Sequence, residues 1–150
     1  CIPGVAITTD IIVGFPGETD AEFKESLDFV KRMQFNDAHV FRFSRREGTA
    51  AARMTEQVNG SVARERAGRM REVVQMAASA ARLKMIGEEV KVLWEGSGYQ
   101  SGNDWILFGL SDHNYRVRAR ADQNRWNIID RVQIEGVQED DLLGVILPGE

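Results

Sequence analysis

Thr8-Thr9-Asp10-Ile11-Ile12-Val13-Gly14-Phe15-Pro16-Gly17-Glu18-Thr19 reads as a strand that runs through a tight turn into a helix. Its first half is a β-branched apolar run of buried-strand type, broken at Gly14 and again at Pro16-Gly17. The helix signal is a capping box, in which the Thr19 hydroxyl accepts from the N–H of Glu22 and the Glu22 carboxylate reaches back to the N–H of Thr19. Phe23, Leu27 and Val30 then recur at i, i+4 and i+7, one apolar stripe along the helix. Asp37 to Phe43 follows as a second strand. The three together make a βαβ unit, whose ligands sit beyond the carboxyl ends of the strands. Gly14 and Gly17 fall at that end, where backbone can approach a ligand closely and a helix N-terminus offers N–H donors.

Beyond the second strand, Ser44-Arg45-Arg46-Glu47-Gly48-Thr49 is polar and turn-like, and Ala50-Ala51-Ala52-Arg53-Met54 follows it. Ser61 is the expected N-cap of a long helix over Val62 to Ile86, with Arg64 and Glu65 in its first turn and Gly87 as its stop. Met70, Val73, Val74, Ala77, Ala81 and Met85 form its apolar stripe. Arg64, Arg66, Arg69, Arg71, Arg82 and Lys84 are assigned to the polar face, which is either solvated and balanced by Glu65 and Glu72 or turned toward RNA.

From Glu89 the period changes to two, and short strands are expected at Val90–Trp94, Trp105–Phe108, Tyr115–Ala121, Val132–Ile134 and Leu142–Leu147, separated by turn-forming clusters. Five strands in so short a span suit a small barrel of oligonucleotide-binding type. In Tyr115-Arg116-Val117-Arg118-Ala119-Arg120-Ala121, alternation puts Arg116, Arg118 and Arg120 on one face about 7 Å apart. Three guanidinium groups so spaced either follow a phosphate backbone or keep an outer barrel face soluble. Trp105, Trp126 and Tyr99 are stacking platforms or core. His39 and His113 have no partner pattern for metal or general-base work.

Composition bounds these readings. The chain has 150 residues, 43% of them hydrophobic, and a net charge of −4, enough for one real core or two small ones. No run approaches the ~18 apolar residues of a membrane span and no signal-peptide pattern opens the chain, so a cytoplasmic protein is expected. Up to Gly87 there are 13 Lys and Arg against 11 Asp and Glu; beyond it there are 6 against 12, a shift that marks a boundary. Cys1, the single cysteine, can form no internal disulfide and cannot by itself hold a metal cluster. A leading cysteine can carry a lipid anchor, but a chain without an initiator Met that starts almost inside a strand is better read as a piece of something longer.

Residues Thr9–Thr19 with the Phe-containing helix behind them, followed by His39-Val40-Phe41-Arg42-Phe43-Ser44-Arg45-Arg46-Glu47-Gly48-Thr49-Ala50-Ala51, resemble the radical SAM methylthiotransferases. Glu88 to Pro148 resembles TRAM, the small RNA-binding β-barrel that ends members of that family. The similarity spans nearly the whole chain. It implies an α/β plus all-β architecture, with the C-terminal portion of a radical SAM (β/α) barrel and its long connecting helix over residues 1–87. An OB-like, five-stranded TRAM barrel follows over 88–150.

The implied activity is attachment of a methylthio group to an adenosine beside the tRNA anticodon or to a ribosomal-protein aspartate. Gly109-Leu110-Ser111-Asp112-His113-Asn114-Tyr115-Arg116-Val117 is most similar to the branch acting on N6-threonylcarbamoyladenosine. The alternatives are the isopentenyladenosine branch, the ribosomal-protein branch, and a non-catalytic RNA-binding barrel. The implied cofactors are S-adenosylmethionine and two [4Fe–4S] clusters, one on a Cys-x-x-x-Cys-x-x-Cys loop and one on three cysteines of an N-terminal domain. Cys1 alone builds neither, so the chain is expected to be inert by itself and to need the N-terminal part of the parent as well as tRNA. A cut sheet leaves an edge strand exposed, which invites pairing into a dimer.

Carried onto this sequence, the resemblance makes Asp10 the partner of two ribose hydroxyls of S-adenosylmethionine, because a carboxylate in an apolar strand is costly unless hydrogen-bonded. The alternative is a carboxylate bonded to neighbouring backbone or to an arginine. Gly14, Pro16 and Gly17 shape the turn, Glu18 lies near the helix dipole, and Val40 and Phe41 pack an adenine or the core. The loop departs from the family's Tyr-Ser-Pro-Arg-Pro-Gly-Thr: Phe43 stands for the tyrosine, and Arg45 and Glu47 stand for the prolines, which loosens it. Arg46 and Gly48 still match, and Arg46 is carried over as an anchor for substrate RNA or for backbone.

Overall fold

The computed structural model describes residues 5–149; Cys1 lies outside them. The chain forms two compact units, one over Ile7–Ala78 and one from Ser79 onward.

In the first unit, β1 (Thr8–Val13) lies parallel to β2 (Asp37–Arg42), in register from Thr8 with Asp37 to Val13 with Arg42. Between them runs α1 (Asp20–Met33), whose capping box is complete: Glu22 N–H donates to Thr19 Oγ1 at 3.2 Å, and Thr19 N–H donates to Glu22 Oε2 at 2.8 Å. The expected βαβ unit is therefore present. A short α2 (Ala50–Arg53) is capped by Thr49, and α3 (Gly60–Lys84) follows. Val13, Phe23, Leu27, Val30, Ala67, Met70 and Val74 make one apolar core, with Ile11, Ala38 and Val40 against it. The helices thus cover one face of the strand pair, while Asp10, Ile12, His39 and Phe41 stand exposed on the other.

Three expectations are corrected here. The cap of α3 is Asn59, whose Oδ1 accepts from Ser61 N–H at 2.9 Å; Ser61 already lies inside the helix. Arg66 is not on a solvated face: it sits between Ala63 and Ala67 on the buried side of α3 and is 5% exposed. Asp10 is not enclosed, since in a two-stranded sheet with helices on one side the alternate side chains of β1 face outward.

The last turns of α3 group with the second unit. Met85 packs on the barrel core and Arg82 Nη2 lies 2.9 Å from Asp140 Oδ1, so the last turns of the helix belong with the strands. Gly87, in a left-handed conformation, ends the helix and donates its N–H to Ile134 O at 2.8 Å.

The strands are β3 (Glu89–Trp94), β4 (Tyr99–Ser101), β5 (Asp104–Ser111), β6 (Arg116–Ala121), β7 (Ile129–Gln138) and β8 (Asp141–Ile146). Their order is β3-β7-β8-β6-β5, and β5 pairs again with β3, which closes a five-stranded barrel. All these pairings are antiparallel except β6 with β8. The short β4, unforeseen because Gly96-Ser97-Gly98 reads only as a turn, adds a hairpin edge to β5. Val90, Val92, Trp94, Leu107, Tyr115, Val117, Ala119, Val132, Ile134 and Leu142 fill the interior, the inward half of the alternating pattern. Closure depends on Gly109 opposite Trp94, where a Cβ would stand 2.5 Å from Leu93 O and 2.6 Å from Val92 Cγ1.

Candidate functional site

The turn after β1 is held from inside the unit. Gly14 adopts φ +74°, and a Cβ there would lie 2.7 Å from Ala63 Cβ, so only glycine lets the turn meet α3 this closely. Gly14 N–H donates to Glu18 Oε2 at 2.7 Å, Gly17 N–H to Glu56 O at 2.8 Å, and Glu18 N–H to Phe15 O at 2.9 Å. The Glu18 carboxylate is in turn gripped by Arg66, whose Nη1 lies 2.6 Å from Oε2 and donates to the Glu18 carbonyl at 2.9 Å. Arg66 Nη2 reaches Asp20 Oδ1 at 2.6 Å, and its guanidinium lies 5.4 Å from the centre of the Phe23 ring. Burial opposes the Arg66 charge, but the hydrogen bonds it donates to Asp20 and Glu18 outweigh that and hold the group above its ordinary value. Glu18, carried over as a cofactor residue, is thus spent inside the protein on Gly14 and Arg66. Arg66 stands at the edge of the Ala63, Ala67, Met70 stripe, where hydrophobic periodicity alone assigns an arginine to the polar face.

Asp10 is in the opposite situation. It faces outward beside His39 on β2, and no hydrogen bond or ion pair engages its carboxylate among the described residues. Asp10 borders a depression along the unpaired edge of β1, with Thr9, Ile12, Ser26 and Phe29. Gly14, Val40 and Phe41 border a different cleft, at the carboxyl end of β2. Within it Val40 leans into the core with Ile11, while Phe41 stands on the open face and is 51% exposed. Phe43 continues the β1–β2 ladder through its N–H to Val13 O at 2.8 Å, and its ring meets Phe15 edge-on at 5.2 Å.

Arg46 is exposed in its loop. Its carbonyl accepts from the Thr49 hydroxyl at 2.8 Å, so the backbone at Arg46 helps start α2 while the side chain is left to solvent. Arg45, rather than Arg46, borders the cleft.

On the barrel, Arg116, Arg118 and Arg120 share the outer face of β6 as alternation requires, but they differ in what they do. Arg118 is committed: Nη2 lies 2.9 Å from Asp141 Oδ2, Nη1 donates to Gln138 Oε1 at 3.1 Å, and the group lies 5.2 Å from the centre of the Phe108 ring. Arg116 makes a looser approach to Asp141, 3.7 Å from Nε. Arg120 is exposed with no charged partner among the described residues and borders a hollow of about 510 Å³ with Tyr99, Arg118 and Gln138. Tyr99 and Trp126 are largely exposed, whereas Trp105 packs against the barrel core. His113 Nδ1 lies 2.9 Å from Asp112 Oδ1 in a turn.

No group of three His, Cys, Asp or Glu side chains stands together among the described residues, and none is assigned to hold an iron–sulfur cluster. No described helix is long and apolar enough to cross a membrane.

No family model matches the chain. Individual proteins do. It is 37% identical over 148 residues to the tRNA-2-methylthio-N(6)-dimethylallyladenosine synthase of Moorella thermoacetica, a match covering 99% of this chain and 33% of that protein. A protein of the same name from Nocardia farcinica is 48% identical over 120 residues, 79% of this chain and 24% of the relative. The threonylcarbamoyladenosine tRNA methylthiotransferase MtaB of Bacillus subtilis is 34% identical over 133 residues, 89% of this chain and 30% of the relative. The chain spans about a third of the length of the relatives it matches. With 34–48% identity over 79–99% of its length, the chain belongs to the methylthiotransferase family that these relatives represent.

Proposed function

We propose that the protein containing this chain is a radical SAM enzyme that adds a methylthio group to an N6-substituted adenosine beside the tRNA anticodon. The kinship along 99% of the chain carries the reaction class. The unpaired Asp10 carboxylate on the open face of β1 supports the cofactor role, since a carboxylate there can accept from both hydroxyls of a ribose. Gly14 lets the turn close on α3, and the Glu18–Arg66 clamp holds that turn in place before any ligand arrives. When bound, S-adenosylmethionine supplies the radical initiator and the methyl group; this chain's residues orient it. The iron–sulfur clusters belong, in this proposal, to parts of the protein outside the described residues. The barrel is the RNA-binding module, with Arg120 and Arg116 as its available cations.

Similarity around Gly109–Val117 supports N6-threonylcarbamoyladenosine as the substrate. The second reading, the dimethylallyl-substituted base, is favoured by the names of the Moorella and Nocardia relatives. Mass spectrometry of tRNA nucleosides from cells lacking the parent gene tests both. Loss of the methylthio form of the threonylcarbamoyl nucleoside is expected; loss of the dimethylallyl form instead selects the second reading, and an unchanged nucleoside profile overturns the enzyme. In the full-length protein, Asp10→Asn is expected to weaken S-adenosylmethionine binding with the fold intact, and equal affinity would remove Asp10 from the pocket.

A further inference from the structure

The cleft at the carboxyl end of β2 has a composition that the cofactor role leaves unexplained. It encloses about 470 Å³ and is bordered by Phe41, Arg42, Phe43, Arg45, Gln57 and Arg71, among others. Three arginines from three segments converge on it: Arg42 from the end of β2, Arg45 from the following loop, and Arg71 from α3. No residue bordering the cleft carries a carboxylate. Neither Arg42 nor Arg45 has an ion-pair partner among the described residues, and Arg71 makes only a 3.3 Å bond from Nη2 to Val40 O. Five arginines elsewhere in the chain are held by close ion pairs, Arg66 with Glu18, Arg82 with Asp140, Arg118 with Asp141, Arg125 with Asp130 and Arg131 with Glu89, whereas others such as Arg64 and Arg120 stand exposed singly; at this cleft three arginines border one hollow. Three like charges gathered without a counter-charge repel one another, and an anion entering the cleft relieves that repulsion.

The anion's class follows from the walls. Guanidinium forks match phosphate oxygens bidentately, and the exposed Phe41, which borders the same cleft from the open face of the strand pair, offers a stacking face to a base adjoining the phosphate. A cationic floor beside an aromatic wall is the arrangement that holds single-stranded nucleic acid. Arg45 also stands where the family's loop has proline, so this charge is a feature of this sequence rather than of the family pattern.

We propose that this cleft binds a phosphodiester of the single-stranded loop of the substrate RNA, with Arg42, Arg45 and Arg71 on the phosphate and Phe41 against an adjoining base. The inference rests on the reading that the substrate is tRNA and adds to it a phosphate site separate from the barrel.

The test uses the full-length protein and a fluorescently labelled anticodon stem-loop RNA, with affinity measured between about 50 and 200 mM salt. Replacing all three arginines by glutamine (R42Q/R45Q/R71Q) is expected to lower the slope of log affinity against log salt by about 0.7, the contribution of one single-strand phosphate contact. Affinity for S-adenosylmethionine should stay as in the wild type, which also reports an intact fold. Arg64→Gln, an exposed arginine of α3 outside the cleft, should leave the slope unchanged. An unchanged slope in the triple variant overturns the proposal while the parent reading stands. So does a fall in S-adenosylmethionine affinity alone, which would make the cleft a seat for the cofactor's carboxylate. Displacement of RNA by low-millimolar inorganic phosphate at constant ionic strength would make it a free-phosphate site, again against the proposal. A wild-type protein that binds S-adenosylmethionine but no RNA overturns both this inference and the tRNA reading.

Discussion

Arg66 Nη1 lies 2.6 Å from Glu18 Oε2, and both side chains are withdrawn from solvent, at 6% and 13% exposure. This pair ties α3 to the turn after β1, because the same Glu18 oxygen accepts from Gly14 N–H. Breaking a buried pair by removing one partner leaves an uncompensated charge. Arg66→Met is therefore expected to lower stability by about 3 kcal/mol in urea unfolding. The other ion pair of Arg66 goes to Asp20, which is 96% exposed, so Asp20→Asn should cost no more than about 1 kcal/mol. If the two variants unfold alike, the clamp is not what holds the turn.

Gly14 faces two independent obstacles to any side chain. Its φ of +74° is strained for an L residue, and its missing Cβ would meet Ala63 Cβ at 2.7 Å. Gly48 has a similar φ of +82° but open space around it. Gly14→Ala should therefore cost clearly more than Gly48→Ala, for which only the left-handed conformation, about 1–2 kcal/mol, must be met. Gly14→Ala combined with Ala63→Gly should recover part of the difference. Equal melting temperatures for the two single variants would mean that α3 gives way freely.

Acidification should loosen the start of α1. The Glu22 carboxyl titrates below its ordinary value near 4.5, because the Thr19 backbone N–H and then the Thr19 hydroxyl hydrogen-bond to its charged form. A depressed acid contributes stability that is present above its unfolded value and lost as pH falls through its lowered folded value. The Thr19 amide resonance should accordingly report loss of the box below pH 4.5, and Thr19→Ala should move the Glu22 titration back up toward 4.5. A Glu22 titration that is the same with and without the Thr19 hydroxyl would leave the hydroxyl without a role in the box.

What local sequence could disclose was set by periodicity and short-range chemistry. The capping box spans three residues and the alternation of β3 is visible in Val90, Val92 and Trp94, so α1 and the barrel interior were legible. Arg66 was not, because its partners lie 46 and 48 positions away and hydrophobic periodicity assigns an arginine to the outside. An apolar run in β1 reads as buried on both faces, but among the described residues helices cover only one, which leaves Asp10 exposed. The cation cleft was invisible because Arg42, Arg45 and Arg71 belong to three separate elements and meet only once β2 and α3 are packed.

Barrel closure should be the most sensitive step in the second unit. Gly109 lets β5 approach β3, with Leu93 O and Val92 Cγ1 occupying the space a Cβ would need. Neither obstacle is a flexible tip, since one is backbone and the other a fully buried valine. Gly109→Ala is expected to open the β3–β5 pairing and destabilise the barrel by a few kcal/mol, in the range of overpacking in a dense core. Amide exchange separates this from a general loss of fold: Glu95, whose N–H donates to Phe108 O at 2.8 Å across that seam, should lose protection. Leu147, which donates to Arg131 O, should keep it. Uniform loss at both amides would place the damage elsewhere.

The three arginines of β6 should separate by function because their neighbours differ. Arg118 is bound to Asp141 and Gln138 and lies against the Phe108 ring, so Arg118→Ala removes packing and leaves Asp141, itself 15% exposed, short of its closest cation. It should lower barrel stability by about 1–2 kcal/mol, the loss of a charge-assisted hydrogen bond. Arg120 is exposed without such ties, so Arg120→Glu should leave the melting temperature near the wild-type value. If the barrel grips RNA through this face, Arg120→Glu in the full-length protein should weaken tRNA binding and flatten its salt dependence, with Arg116→Glu acting the same way. Arg118→Ala should do so less per unit of charge removed, because Asp141 already holds that guanidinium. A salt slope that stays constant through Arg120→Glu and Arg116→Glu would leave β6 as a solvated outer strand. The RNA contacts would then have to come from another face of the barrel or from the arginine cleft beside β2.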